Sequence, residues 1–146
     1  MLADSMKKLL ASSYAFTIKA QYFHWNVEGP NFSEYHEFFG KIYEEVYASI
    51  DATAEYIRTL DSYAPGSFDR FKELSIIPDQ TMVPRAELMF AELLSDNNLM
   101  LDLLRECFKI AGDENEFGIE NFLAERIDAH AKHGWMLKSY IKKDRA

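Results

Sequence analysis

A chain of 146 residues fits one domain, and a content of 48% hydrophobic and 14% aromatic residues excludes a disordered or low-complexity polypeptide. The formal charge of −8 disfavours generic attraction to nucleic acid or an anionic membrane and suits a protein that handles cations. The single cysteine, Cys107, excludes an intramolecular disulfide framework and points to a reducing, cytoplasmic setting. There is no secretory leader pattern and no apolar run near the roughly 18 residues a membrane span needs.

With only six glycines and four prolines, long uninterrupted helices are expected, and no segment reads as a strand. The first helix is predicted over 3–27. Met6, Leu10, Ser13, Thr17, Ala20, His24 and Val27 fall on one face at 3–4 spacing. Gly29 and Pro30 end it, because glycine releases the helix and proline cannot continue it. The second helix is predicted as one rod over 33–60, with Asn31 or Ser33 able to cap it. A long connection follows, punctuated by Pro65-Gly66, Pro78 and Pro84, and "SFDRFKEL" inside it suits one or two helical turns. The third helix starts near Pro84. Its stripe runs Ala86, Met89, Leu93, Asn97, Met100, Leu104 and Cys107, and Cys107 reads as inert packing. "AGDEN" breaks the pattern, and a fourth helix is predicted over 114–142. The fold class is therefore all-α. A four-helix bundle is expected, with one long crossover carrying a short helix between helices two and three, which is ferritin-like connectivity. Residues 1–146 form one domain.

Two of the four histidines, His24 and His36, bracket the Gly-Pro turn, which folds the end of the first helix beside the start of the second. Further along the second helix, Asp51 and Glu55 stand at i, i+4 and share a face. Two imidazoles and two carboxylates make a plausible iron shell. The plain alternative is that both carboxylates are solvated and Glu55 pairs with Arg58. His36 and Asp51 are 15 positions apart, roughly 22 Å along a helix, so they cannot share a metal within one chain. A second copy laid antiparallel across a two-fold axis brings its Asp51 and Glu55 towards His36, and such an interface creates two identical sites. A di-iron site inside one bundle requires Glu-x-x-His motifs, and the sequence has none.

"KAQYFHWNVEGPNFSEYHEFF", "IDATAEYIRTL", "APGSFDRFKELSII" and "AKHGWMLKSYI", in that order, resemble the Dps family of mini-ferritins over nearly the whole chain. That resemblance implies a dodecameric hollow shell built from two-fold dimers. It implies oxidation of Fe(II), preferably by hydrogen peroxide, and storage of the ferric product. The family's ferroxidase centres lie at the two-fold interface. By position, His24, His36, Asp51 and Glu55 match the ligands, and Trp25 matches the tryptophan beside them. One position departs: many members carry an acidic residue four after the second histidine, where this chain has Gly40. A weakened second iron position, or a cage with a structural role, is the alternative this opens. The family's acidic three-fold pore corresponds to Asp113, Glu114, Glu116 and Glu120, although acidic residues at a helix start also favour the helix dipole.

DNA-packaging members of the family often carry a Lys-rich tail. Here "MLADSMKKLL" leaves almost none before the first helix and "KSYIKKDRA" is a short basic end, so DNA binding through a tail is disfavoured. His130 and His133, at i, i+3, could bind a metal, but a surface or interface pair on the fourth helix is the expectation.

Overall fold

The computed structural model describes residues 1–142; the last residues of the basic end, 143–146, lie outside them. Six helices follow in chain order: α1 (Leu2–Asn26), α2 (Phe32–Ala48), α3 (Ile50–Thr59), α4 (Phe68–Leu74), α5 (Ala86–Asp113) and α6 (Phe117–Ile141). The helix α1 packs on α2, α3, α4 and α5, and α5 packs on α6. Four long rods thus bury a common core in which Phe16, Phe23, Phe39, Met6, Leu93 and Met100 are fully enclosed. The predicted stripe of α1 is buried except at its end, where His24 is half-exposed. Among the described residues no helix is long and apolar enough to cross a membrane.

The turn between α1 and α2 works as the sequence suggests. Gly29 sits at φ +122°, a conformation that side chains resist. Three details differ from expectation. The rod over 33–60 is interrupted at Ser49, where the buried hydroxyl donates to the Val46 carbonyl (2.6 Å) and the Ser49 amide also bonds Val46 (3.0 Å). Thr53 repeats the device by donating to the Ser49 carbonyl (2.9 Å). Such side-chain competition for backbone carbonyls bends helices. At the start of α2, Asn31 occupies the cap position without a side-chain capping bond, whereas Ser67 does cap α4, accepting from the Arg70 amide at 3.2 Å. Finally, α5 runs through "AGD" and turns at Asn115, at φ 60°.

The crossover is strapped across α1. Ser12 Oγ accepts from the Ile76 amide (3.1 Å), the Lys19 ammonium donates to the Pro78 carbonyl (3.1 Å), and the Tyr22 hydroxyl donates to the Met82 carbonyl (2.8 Å). Lys19 is itself buried against Asp96 of α5 at 2.9 Å. Burial pushes the Asp96 carboxyl up, and the bond from Lys19 opposes that shift.

Candidate metal centre

His24 is in the last turn of α1 and His36 is near the start of α2, so the Gly29 turn sets them side by side. Their bonding is reciprocal. His24 Nδ1–H donates to the His36 carbonyl at 2.5 Å, and His36 Nδ1–H donates to the His24 carbonyl at 2.6 Å. A carbonyl oxygen only accepts, so each ring carries a proton on Nδ1, and the tautomer with its lone pair on Nε2 is the one that can face a metal ion. The rings stack with centroids 3.8 Å apart and planes 14° from parallel. Phe32 stacks on His36 at 5.1 Å and Tyr43 leans on His24 at 5.4 Å. Packing and hydrogen bonds therefore hold the two imidazoles as a rigid pair.

Gly40 is part of that seat. A methyl group built there would lie 3.0 Å from His24 Cε1 and 3.1 Å from Nδ1, too close without a shift of the ring. The space beside Gly40 is filled by the chain's own His24, one turn of α2 beyond His36.

Asp51 and Glu55 are exposed on α3. That exposure agrees with the plain alternative of solvated carboxylates, but its pairing of Glu55 with Arg58 is not formed: the Arg58 guanidinium donates to the Ser62 carbonyl at 3.0 Å and covers the Tyr63 ring at 4.8 Å. Between His36 and the end of α2 alone lie about 18 Å of helix, so one chain does not bring its imidazoles and these carboxylates together. Among the described residues no three His, Cys, Asp or Glu side chains converge as a ready metal site. Trp25, next to His24, is 63% exposed. It lines an open apolar groove with Tyr14, Ile18, Phe68 and Phe71 along α1 and α4.

The acidic residues of the α5–α6 turn divide their roles. Asp113 pairs with Lys109 at 2.9 Å. Glu114 and Glu116 flank the turn as the cap positions of α5 and α6, and the Glu120 carboxylate lies over Gly112. Cys107 is enclosed, and burial pushes its thiol up to about 12, in keeping with inert packing.

His130 and His133, expected as a surface or interface pair, are instead buried within the chain's own bundle, at 1% and 6% exposure. Both point into the bundle because they continue the core stripe of α6 from Leu123 to Leu137, and Arg126 occupies the same stripe. Arg126 makes a two-pronged contact with Glu45 of α2, at 2.5 and 2.9 Å. His133 donates to Glu45 at 2.7 Å. The 3–4 spacing of Arg126, His130 and His133 among Leu123 and Leu137 was the sequence signal for this buried group; nothing local pointed to Glu45.

A family model for the ferritin-like domain matches residues 3–146. An uncharacterized low temperature-induced protein of Nostoc sp. is 36% identical over 135 residues, covering 91% of this chain and 75% of that protein. Among solved structures, Dps from Staphylococcus aureus superposes with a TM-score of 0.94 at 28% identity, covering 98% of this chain and 96% of that one. A Dps protein of Vibrio cholerae, described as a member of a broad superfamily of ferritin-like diiron-carboxylate proteins, gives 0.93 at 28% identity, covering 97% and 89%.

Proposed function

The chain belongs to the ferritin-like domain family, in its Dps branch, and on that premise we infer that it is a ferroxidase and iron-storage subunit. Its substrates are Fe(II) and hydrogen peroxide. The observation that carries this reading is the reciprocal His24–His36 pair, which leaves both Nε2 atoms available to a metal while, among the described residues, no third ligand converges on them. Asp51 and Glu55 of a two-fold mate complete the shell, and carboxylates favour the ferric product by charge. The apolar groove beside Trp25 supports such a mate, because a monomer gains by covering it. The working form is a closed homo-oligomer, by family a dodecamer. Removing Fe(II) and peroxide together suppresses hydroxyl-radical chemistry and so protects against oxidative damage.

The test is subunit mixing. Chains carrying His24→Ala and His36→Ala, and chains carrying Asp51→Ala and Glu55→Ala, are each expected to be inactive alone. Unfolded together and refolded at equal ratio, half of the dimers are mixed and each mixed dimer regains one intact site. Peroxide-driven oxidation is then expected at about a quarter of the wild-type level. No recovery in a mixture that sizes as wild type refutes the shared site.

Gly40 gives a second expectation. Gly40→Ala adds only bulk against His24 and should weaken first-iron binding about tenfold in anaerobic titration, roughly 1.4 kcal/mol. Gly40→Asp carries the same bulk plus a carboxylate, and relative to Gly40→Ala it should gain a second binding event. Unchanged first-iron affinity in Gly40→Ala excludes a role for this glycine in seating His24. With a formal charge of −8, the purified protein is also expected to leave duplex DNA unshifted in a retardation gel at neutral pH and physiological salt.

A further inference from the structure

The bundle interior holds a second set of ligand-type side chains, nine residues further along α2 than His36. Glu45 projects from α2, Asn97 from α5, and Arg126, His130 and His133 from α6. His130 Nδ1–H donates to Asn97 Oδ1 at 2.8 Å, and Asn97 Nδ2 is occupied by the His130 carbonyl at 2.8 Å. His130 therefore presents its Nε2 lone pair inward, and what meets it is Arg126 Nη2 at 3.3 Å. The same Nη2 donates to Glu45 Oε1, while Nη1 takes Oε2. His133 Nε2–H donates to the same Glu45 Oε1, and its buried Nδ1 has no partner. The two imidazole rings lie 5.3 Å apart at right angles. Burial, reinforced by the Arg126 charge, lowers the His130 pKa to about 3, so this imidazole is neutral.

A carboxylate and two imidazoles around one cation form the donor set of a divalent transition-metal site. Ferritin-like di-iron bundles aim such donors inward to hold metal. We propose that Arg126 is a resident cation standing where a divalent metal ion would bind Glu45, His130 and His133, and that it denies the bundle interior to such an ion. A guanidinium suits the role. It keeps its proton at any physiological pH, its fork matches the carboxylate, and its covalent attachment prevents exchange with solvent cations. Its single charge balances the single charge of Glu45. This inference does not depend on the iron reading, since it concerns different residues and any divalent ion of suitable size.

The experiment uses full-length protein carrying His24→Ala and His36→Ala, which silences the other imidazole pair, with Co(II) alone as the probe. That parent should show no interior Co(II) spectrum. Adding Arg126→Ala should produce visible d–d bands at one Co(II) per chain, with affinity at least ~100-fold above the parent, and a further His130→Ala or His133→Ala should abolish them. If Arg126→Ala does not fold alone, Co(II) should restore its helical circular dichroism. It should not do so for Arg126→Ala with Glu45→Gln, which carries no buried charge and is expected to fold without metal. A folded Arg126→Ala protein that takes up no Co(II), or an unfolded one that Co(II) does not rescue, overturns the proposal. So does Co(II) binding through His130 and His133 in the parent with Arg126 in place.

Discussion

Replacing His36 by Ala is expected to cut the initial rate of peroxide-driven Fe(II) oxidation by at least ~100-fold, with the size of the assembly unchanged. Two losses combine. The substitution removes one of the two imidazoles proposed as ligands, and it removes the stacked ring and the Nδ1–H bond that hold His24 in place. His24 keeps its own bond to the position-36 carbonyl, which survives the change, so a weak single-imidazole site remains rather than none. His36→Gln, which can still donate to the His24 carbonyl but offers no imidazole nitrogen, separates the two effects. It should be as slow as His36→Ala if ligation dominates. Stopped-flow absorbance of the ferric product measures both. A His36→Ala protein oxidising iron within twofold of wild type refutes the assignment.

The largest expected effect on stability lies at Glu45. Glu45→Ala leaves the Arg126 guanidinium, whose side chain is 10% exposed, without its counter-charge. Breaking a fully buried pair costs roughly 3–5 kcal/mol. Glu45 is 39% exposed, so about 2–3 kcal/mol is expected, lowering the melting temperature by very roughly 10 °C at fixed protein concentration. The effect is pH-dependent. Burial alone would raise the Glu45 pKa, but hydrogen bonds from His133 and Arg126 outweigh it and hold the carboxyl far below its ordinary 4.5. A carboxyl with a depressed folded-state pKa contributes fully above the unfolded value and loses its contribution as pH falls below it. The gap between wild type and Glu45→Ala should therefore be widest near neutral pH and narrow below about 4.5. His130 adds an acid sensitivity that both proteins share. The unfolded chain protonates it near 6.5 and the folded one only near 3, so stability falls with pH through that window. Melting curves from pH 7 to 3 measure this, and a gap that widens in acid contradicts the ionised pair.

Much of this molecule is legible in one dimension because its helices and turns depend on neighbours in sequence. The apolar stripes of α1 and α5, the Gly29-Pro30 turn and the short crossover helix all follow from periodicity and punctuation. So does the meeting of His24 and His36, since 12 residues across a tight turn leave little choice of partner. The separation of His36 from the end of α2 likewise follows from helical rise, and it already keeps Asp51 and Glu55 of the same chain away from the two imidazoles. The rod over 33–60 is not continuous because the bend at Ser49 is a competition between hydroxyl and amide donors for carbonyls, which hydrophobic period does not register.

What the tertiary structure alone decided is orientation. Gly40 reads in sequence as an absent carboxylate, whereas in space it is the floor under the His24 ring. His130 and His133 read as a surface or interface pair, yet the rotation of α6 turns them inward with Arg126, and Arg126 and His133 meet a glutamate more than 80 residues away. Sequence pattern fixes which face of a helix is apolar through spacing along one chain. Whether a polar group on that face is tolerated depends on a counter-charge supplied by another helix, and only the packing of the two helices brings that partner within hydrogen-bond reach.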